Sequence, residues 1–182
     1  TVLGDVQLRP TLHDYPFVTD TGILQEILSD NALDHEEQLL EEIRSLFVAL
    51  LQDHVSAHGP FAEIPGARDF LHSLRSSSAH AVAMATGGWR QSAEFKLSSA
   101  GFDVDDIPLA TADDHHERTS IMEIALASLG GVFETVTYYG DGPWDRRACE
   151  QLGWEFVAVG AELGGLENFH DATGPIRAKE SS

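Results

Sequence analysis

The sequence predicts an α/β fold, a parallel sheet interleaved with helices and joined to a smaller all-helical part. Three observations predict it. Residues 135–160 read as strand, loop, helix and strand, a unit of about 25 residues, the size of a βαβ crossover. From Ile64 onward, short apolar runs alternate with helical periodicity. Between Thr19 and His58 the pattern is helical, and Gly59-Pro60 ends it.

Taken in order, residues 1–18 carry little signal, with Pro10 and Pro16 bracketing a loop. Thr19-Asp20-Thr21-Gly22 offers caps ahead of an apolar stripe of Ile23, Leu24, Ile27 and Leu28. A second helix is expected from Asp34 to His58, with Leu39, Leu40, Ile43, Leu46, Phe47, Leu50, Leu51 and Val55 on one face and glutamates in its first turns. Pro65-Gly66 opens a helix carrying Phe70, Leu71 and Leu74. His80–Thr86, small and apolar, reads as a strand buried on both faces. Gly87-Gly88 turns the chain into a helix over 89–100, closed by Gly101. Ile107–Ala110 is a weak third strand, and a helix over Ser120–Leu129 leads to Gly130-Gly131. Thr135–Tyr139 is β-branched and aromatic, and the Gly140-Asp141-Gly142 turn ends it. The helix that follows places Ala148, Cys149 and Leu152 on one face and stops at Gly153. Phe156–Gly160 is the last strand, and Ala178–Ser182 is expected to fray.

With 182 residues, 42% apolar and 23% charged, the chain has room for one globular domain, or for a core with a small inserted lobe. No apolar run reaches membrane-spanning length, which sets a membrane partner aside. Thirty acidic against eleven basic residues give a net charge of −19, which excludes a cationic track for nucleic acid. The same charge requires any phosphate site to be locally positive. A single cysteine, Cys149, permits no internal disulfide and fits a reducing, cytoplasmic setting.

Four features fall at the carboxyl edge of the predicted sheet, where ligands of such folds sit. Thr86 ends a strand beside two glycines, so its hydroxyl and nearby backbone N–H groups can hold a phosphate oxygen. A Thr capping the next helix would look the same. Arg118 precedes a helix, where it is either a counter-charge for phosphate and carboxylate or a solvated arginine. Asp141 and Asp145, four residues apart across a turn, can converge on a hard cation such as Mg²⁺. Alternatively, Asp145 serves only the helix dipole. Asp113-Asp114-His115-His116-Glu117 offers imidazoles for a transition metal, although adjacent residues on an extended loop diverge. A solvated polar loop is the simpler account.

This order of motifs, a helical lobe, Ile64-Pro65-Gly66 with its helix, Ala85-Thr86-Gly87-Gly88, Glu117-Arg118-Thr119 and Gly140-Asp141-Gly142-Pro143-Trp144-Asp145, resembles the haloacid dehalogenase (HAD) superfamily. Within it, the likeness is to phosphoglycolate-phosphatase-like proteins with a helical cap. The resemblance implies a HAD-like Rossmannoid parallel sheet with helices on both faces, plus a small all-helical cap. It divides the chain into 1–14, a remnant of the element before the cap; 15–62, the cap; and 63–182, the α/β core. It implies that Thr86, with Gly87, and Arg118 bind the phosphoryl group of a small substrate. Lys96 is the fallback for the cation. Asp141 and Asp145 would hold Mg²⁺, and Thr19, Asp20 and Thr21 are cap residues that could reach the substrate.

One departure stands out. The family's first motif is a strand ending in Asp-x-Asp, which supplies the nucleophile and the general acid/base. Gly4-Asp5-Val6-Gln7 lacks both the second Asp and the apolar strand. An upstream segment carrying that motif is therefore expected, or else the nucleophile has been lost. Residues 1–182 alone should be inactive and should lack the central strand, leaving two sheet edges unpaired. The leading expectation is a Mg²⁺-dependent phosphatase acting through an aspartyl-phosphate. The alternatives are a non-catalytic protein binding a phosphorylated ligand or a protein partner, and a transition-metal phosphoesterase using His115 and His116.

Overall fold

The computed structural model describes residues 2–170 and 172. After a short 3-10 turn at Leu12–Asp14 come α1 (Asp20–Asp30), α2 (Glu37–His58), α3 (Ala67–Arg75), β1 (Met84–Ala85), α4 (Arg90–Ser99), β2 (Leu109–Ala110), α5 (Arg118–Ala127), β3 (Thr137–Gly140), α6 (Pro143–Leu152) and β4 (Glu155–Ala158). The fold is α/β with parallel strands. The chain forms two compact units, Thr1–Ala62 with Ala83–Gly130, and Glu63–Val82 with Gly131–Ser182. Each contains one two-stranded parallel ladder.

In the first unit, Thr19 starts α1 by accepting the Gly22 N–H at 3.1 Å, which satisfies a donor the helix itself cannot. Leu24 and Leu28, one turn apart, bury against Trp89 and Ala112, and Leu39, Leu40, Ile43 and Phe47 of α2 close over them. The apolar stripe of α2 is only half covered, and Leu46 and Leu50 stay exposed. Ala110, Ile121 and Ala125 make a smaller core with Ala83 and Ala85.

The strand expected over His80–Thr86 contracts to two residues, and none of the seven is fully buried. The reason lies in its partner. The Ile107 N–H closes a turn on Val104 O, so the neighbouring chain is extended only from Pro108. Pairing therefore begins with Met84 N–H to Pro108 O and ends with Thr86 N–H to Ala110 O. Among the described residues β1 forms its ladder with β2.

In the second unit, β3 and β4 run parallel with Thr137 opposite Glu155 and Gly140 opposite Ala158. α6 joins them and ends at Gly153, whose φ of +71° only glycine adopts without strain. Ala148 and Cys149 are its buried face, as the periodicity predicts. Phe70 of α3 stacks on Phe169 and meets Tyr139 of β3 edge-on, at centroid distances of 5.1 and 5.4 Å. Ala178–Ser182 lies outside the described residues.

Candidate functional site

The first unit brings several of the singled-out residues together. β1 delivers Thr86 into the Gly87-Gly88 turn, and the Thr86 hydroxyl accepts the Gly88 N–H at 3.1 Å. That bond closes a turn inside the loop rather than capping α4. The helix start is served by two carboxylates instead. Asp20 Oδ2 accepts the Trp89 N–H at 3.0 Å, and Asp113 Oδ2 accepts the Arg90 N–H at 2.6 Å. Both complement the positive end of the helix.

Arg118 is the first residue of α5, which begins two residues earlier than the sequence pattern suggests, with extended Glu117 as its N-cap. Its guanidinium lies against Gly87, and Nη2 donates to Val18 O at 2.8 Å. The absence of a Cβ at Gly87 makes this seat. Lys96 is elsewhere on α4, exposed, with its ammonium over the Phe47 ring at 5.6 Å. Of the two cations, Arg118 is the one lying against Gly87.

Thr19, Asp20 and Thr21 are fastened to the same loops. The Thr19 hydroxyl donates to His116 O and that of Thr21 to Ala112 O, each at 2.7 Å. The Asp20 N–H donates to Gly87 O at 2.7 Å. Burial pushes the Asp20 carboxyl above the usual carboxylate range and nearby Asp113 adds to the rise, against the opposing pull of the Trp89 N–H, Lys96 and Arg118.

The segment around Asp113 is not simply solvated. Asp113 also pairs with Arg44 Nε at 3.4 Å, and Asp114 Oδ2 takes the Thr111 N–H, the Thr111 hydroxyl and Arg90 Nη2 within 3.0 Å. His115 and His116 stack at 4.6 Å, His116 meets Phe17 edge-on, and His115 Nδ1 accepts the Glu117 N–H. Both imidazoles are thus engaged in local packing.

In the second unit, Asp145 is 2% exposed and turned back on the end of β3. Its Oδ2 accepts the Gly142 N–H at 3.0 Å, and a Cβ on Gly140 would stand 2.8 Å from that same oxygen. Asp141, between these glycines, is exposed. Carboxylate oxygens are the donors Mg²⁺ takes, and two of them, with water and phosphate completing the shell, suit it in kind. Among the described residues, no three His, Cys, Asp or Glu side chains gather into a metal-binding group.

Trp89 is the residue sequence reasoning missed. Its N–H bonds Asp20, its indole Nε1 donates to Thr21 Oγ1 at 3.0 Å, and Phe47 and the Arg44 guanidinium flank the ring. The available signal was a large aromatic directly after Gly87-Gly88, where a solvent-exposed loop would carry a small polar residue.

A Rossmann-like α/β protein with an Arg-seated glycine loop and a Gly-Asp-Gly-x-x-Asp turn is the class these features define. A family model for haloacid dehalogenase-like hydrolases matches residues 12–153, and the chain belongs to that family of hydrolases. A solved structure, a hydrolase from Pseudomonas syringae, superposes with a TM-score of 0.60 at 18% identity, over 78% of this chain and 64% of that one. At such identity the likeness is one of fold. No curated protein matches the chain. Among the described residues, no helix is long and apolar enough to cross a membrane.

Proposed function

We propose that the chain is part of a Mg²⁺-dependent phosphatase-type hydrolase acting on a small phosphorylated metabolite in the cytoplasm. The observation that carries this reading is the guanidinium of Arg118 resting on Gly87 beside Thr86, in a chain of this hydrolase family. A phosphoryl group needs hydrogen-bond donors and a cation held in place before it arrives. Thr86 Oγ1 and the Gly87 N–H are the donors, and Arg118, steadied by Val18 O, is the cation. Asp141 and Asp145 would hold Mg²⁺, which when bound neutralises charge on phosphoryl oxygens. The helical segment 15–62 is the cap that excludes water and selects substrate, with Thr19, Asp20 and Thr21 at its start. The nucleophile of an aspartyl-phosphate matches no Asp of residues 1–182 by motif, and the proposal assigns it to a segment outside them.

The test is turnover of an aryl phosphate by the full-length gene product, with Mg²⁺ and with chelator. Arg118→Ala and Asp141→Asn should each lower kcat/KM by about 10²-fold or more. A full rate in either variant, or no turnover above background, defeats the proposal. The missing Asp-x-Asp favours a second reading, a phospholigand-binding protein without turnover. That reading predicts phosphate binding, weakened in Arg118→Ala, with no hydrolysis.

A further inference from the structure

Asp20 is bonded to the glycine loop in both senses. Its N–H donates to Gly87 O at 2.7 Å, and its Oδ2 accepts the Trp89 N–H at 3.0 Å. The two bonds straddle Gly88 and clamp the Gly87-Gly88 peptides between them. They form at the first residue of α1, whose neighbours Thr19 and Thr21 are tied to residues 116 and 112. The loop that seats Arg118 is therefore held by a helix nearly seventy residues away in sequence. The acceptor in this clamp carries a charge, although a Ser, Thr or Asn could accept the same N–H. That carboxylate is largely desolvated, and Lys96, Asp113 and Arg118 are the charged groups around it. An anion seated on Thr86 and Arg118 would add negative charge beside Asp20 and Asp113.

We propose that Asp20 is a positioning residue of the anion site, a clasp by which α1 holds the Gly87-Gly88 turn against Arg118 and by which anion binding is coupled to the charge at Asp20. The inference rests on the reading of Thr86, Gly87 and Arg118 as an anion site. Geometry and charge act in opposite directions here. The hydrogen bonds shape the loop for an anion, while the ionised carboxylate opposes it. Protonating Asp20 relieves that opposition, so anion affinity should rise as pH falls through the pKa of this carboxyl.

The two effects separate in a pair of variants, with sulfate as the probe because it stays a dianion across the working range. Calorimetric titration of the full-length protein gives its Kd at several pH values. Asp20→Asn keeps an acceptor and removes the charge. It should bind at neutral pH at least as tightly as the unaltered chain and should lose the part of the pH dependence that Asp20 carries. Asp20→Ala removes the charge and also the acceptor of the Trp89 N–H, so it should bind about fivefold more weakly than Asp20→Asn, the equivalent of one hydrogen bond of about 1 kcal/mol. If both variants bind sulfate like the unaltered chain and differ only in thermal midpoint, Asp20 is a structural residue and the proposal is overturned. An unchanged pH profile in Asp20→Asn overturns it too, even if Asp20→Ala fails to fold. Arg118→Ala is the separate control. If it binds as tightly as the unaltered chain, or if the unaltered chain binds no sulfate, the anion site itself is wrong and the clasp has nothing to position.

Discussion

Replacing Gly87 by Ala tests whether Arg118 is truly seated on the loop. A β-carbon at 87 would fall on Arg118 Nη2 and stand 3.1 Å from both Arg118 Cζ and Val18 O. Carbon cannot occupy that space, so something must move. Nη2 is the end of a flexible side chain, and its 2.8 Å bond to Val18 O is the contact expected to break. A lost hydrogen bond of a charged donor is worth about 1.5–3 kcal/mol where the groups are dry, and less where water replaces it. Overpacking adds to this, although a side chain free to swing incurs only the lower part of the usual range of about 1–3 kcal/mol. Against these stands a gain of about 0.4–1 kcal/mol from the stiffer unfolded chain. That gain applies because Gly87 is not among the glycines at positive φ. The net expectation is a loss of about 1–2 kcal/mol, or a midpoint lower by about 2–8 °C for a chain of this size.

A double-mutant cycle isolates the cause. With Arg118 already replaced by Ala, a methyl at 87 no longer meets the guanidinium, and most of the penalty should vanish. Urea unfolding of the four proteins should yield a coupling of about 1 kcal/mol or more between positions 87 and 118. A penalty for Gly87→Ala that is the same in both backgrounds would refute the seat and remove the main support for an anion site there.

Three further outcomes follow from burial. Leu28 is fully inaccessible at the centre of the larger core, so Leu28→Ala should cost about 2–5 kcal/mol in urea unfolding. The Cys149 thiol is pushed up to about 11, chiefly by burial, so the folded chain should resist thiol reagents near pH 8 and react only after denaturant is added. Asp20 has its carboxyl raised by burial, so its folded form holds a proton more tightly than the unfolded chain does. Its contribution to stability is complete below the ordinary carboxylate pKa and is lost as pH rises through the raised value. Asp20→Asn should therefore be more stable than the unaltered chain at neutral pH, and the advantage should fade in acid. Thermal melts across pH would show this, and a constant difference would contradict it.

What the sequence disclosed was what is local. The Gly140–Asp145 turn could be read because Gly142 and Asp145 satisfy each other three residues apart. The Thr19 cap and the Gly153 stop were legible for the same reason. Strand length was not, because the extent of β1 is set by a turn at Val104–Ile107 in another segment. The start of α4 at Trp89–Arg90 was legible, but the groups that cap it were not, for a similar reason. Its N–H groups are taken by Asp20 and Asp113, at separations of 69 and 23 residues, and no pattern near Gly88 announces them. Asp113 and Asp114 looked like solvated charges because their partners, Arg44, Arg90 and Thr111, are named only by the fold.

The charge of the chain poses a last question for an anion site, and it has a measurable answer. Thirty acidic against eleven basic residues set up a repulsive field for any phosphorylated ligand. Around Asp20 the signs are balanced, with Lys96 and Arg118 facing Asp20 and Asp113. The long-range field therefore opposes approach, and attraction begins only at contact with Arg118. Salt weakens the first more than the second, because the Debye length is about 8 Å at physiological strength while a hydrogen-bonded guanidinium acts at about 3 Å. For the full-length protein, kcat/KM toward an aryl phosphate should consequently rise with added salt at low ionic strength before levelling or falling. Enzymes that draw anions in with a cationic surface show the reverse. A steady fall from the lowest salt would mean that the ligand meets positive potential well before Arg118, and that a cationic approach path lies on part of the molecule other than the one described around Gly87.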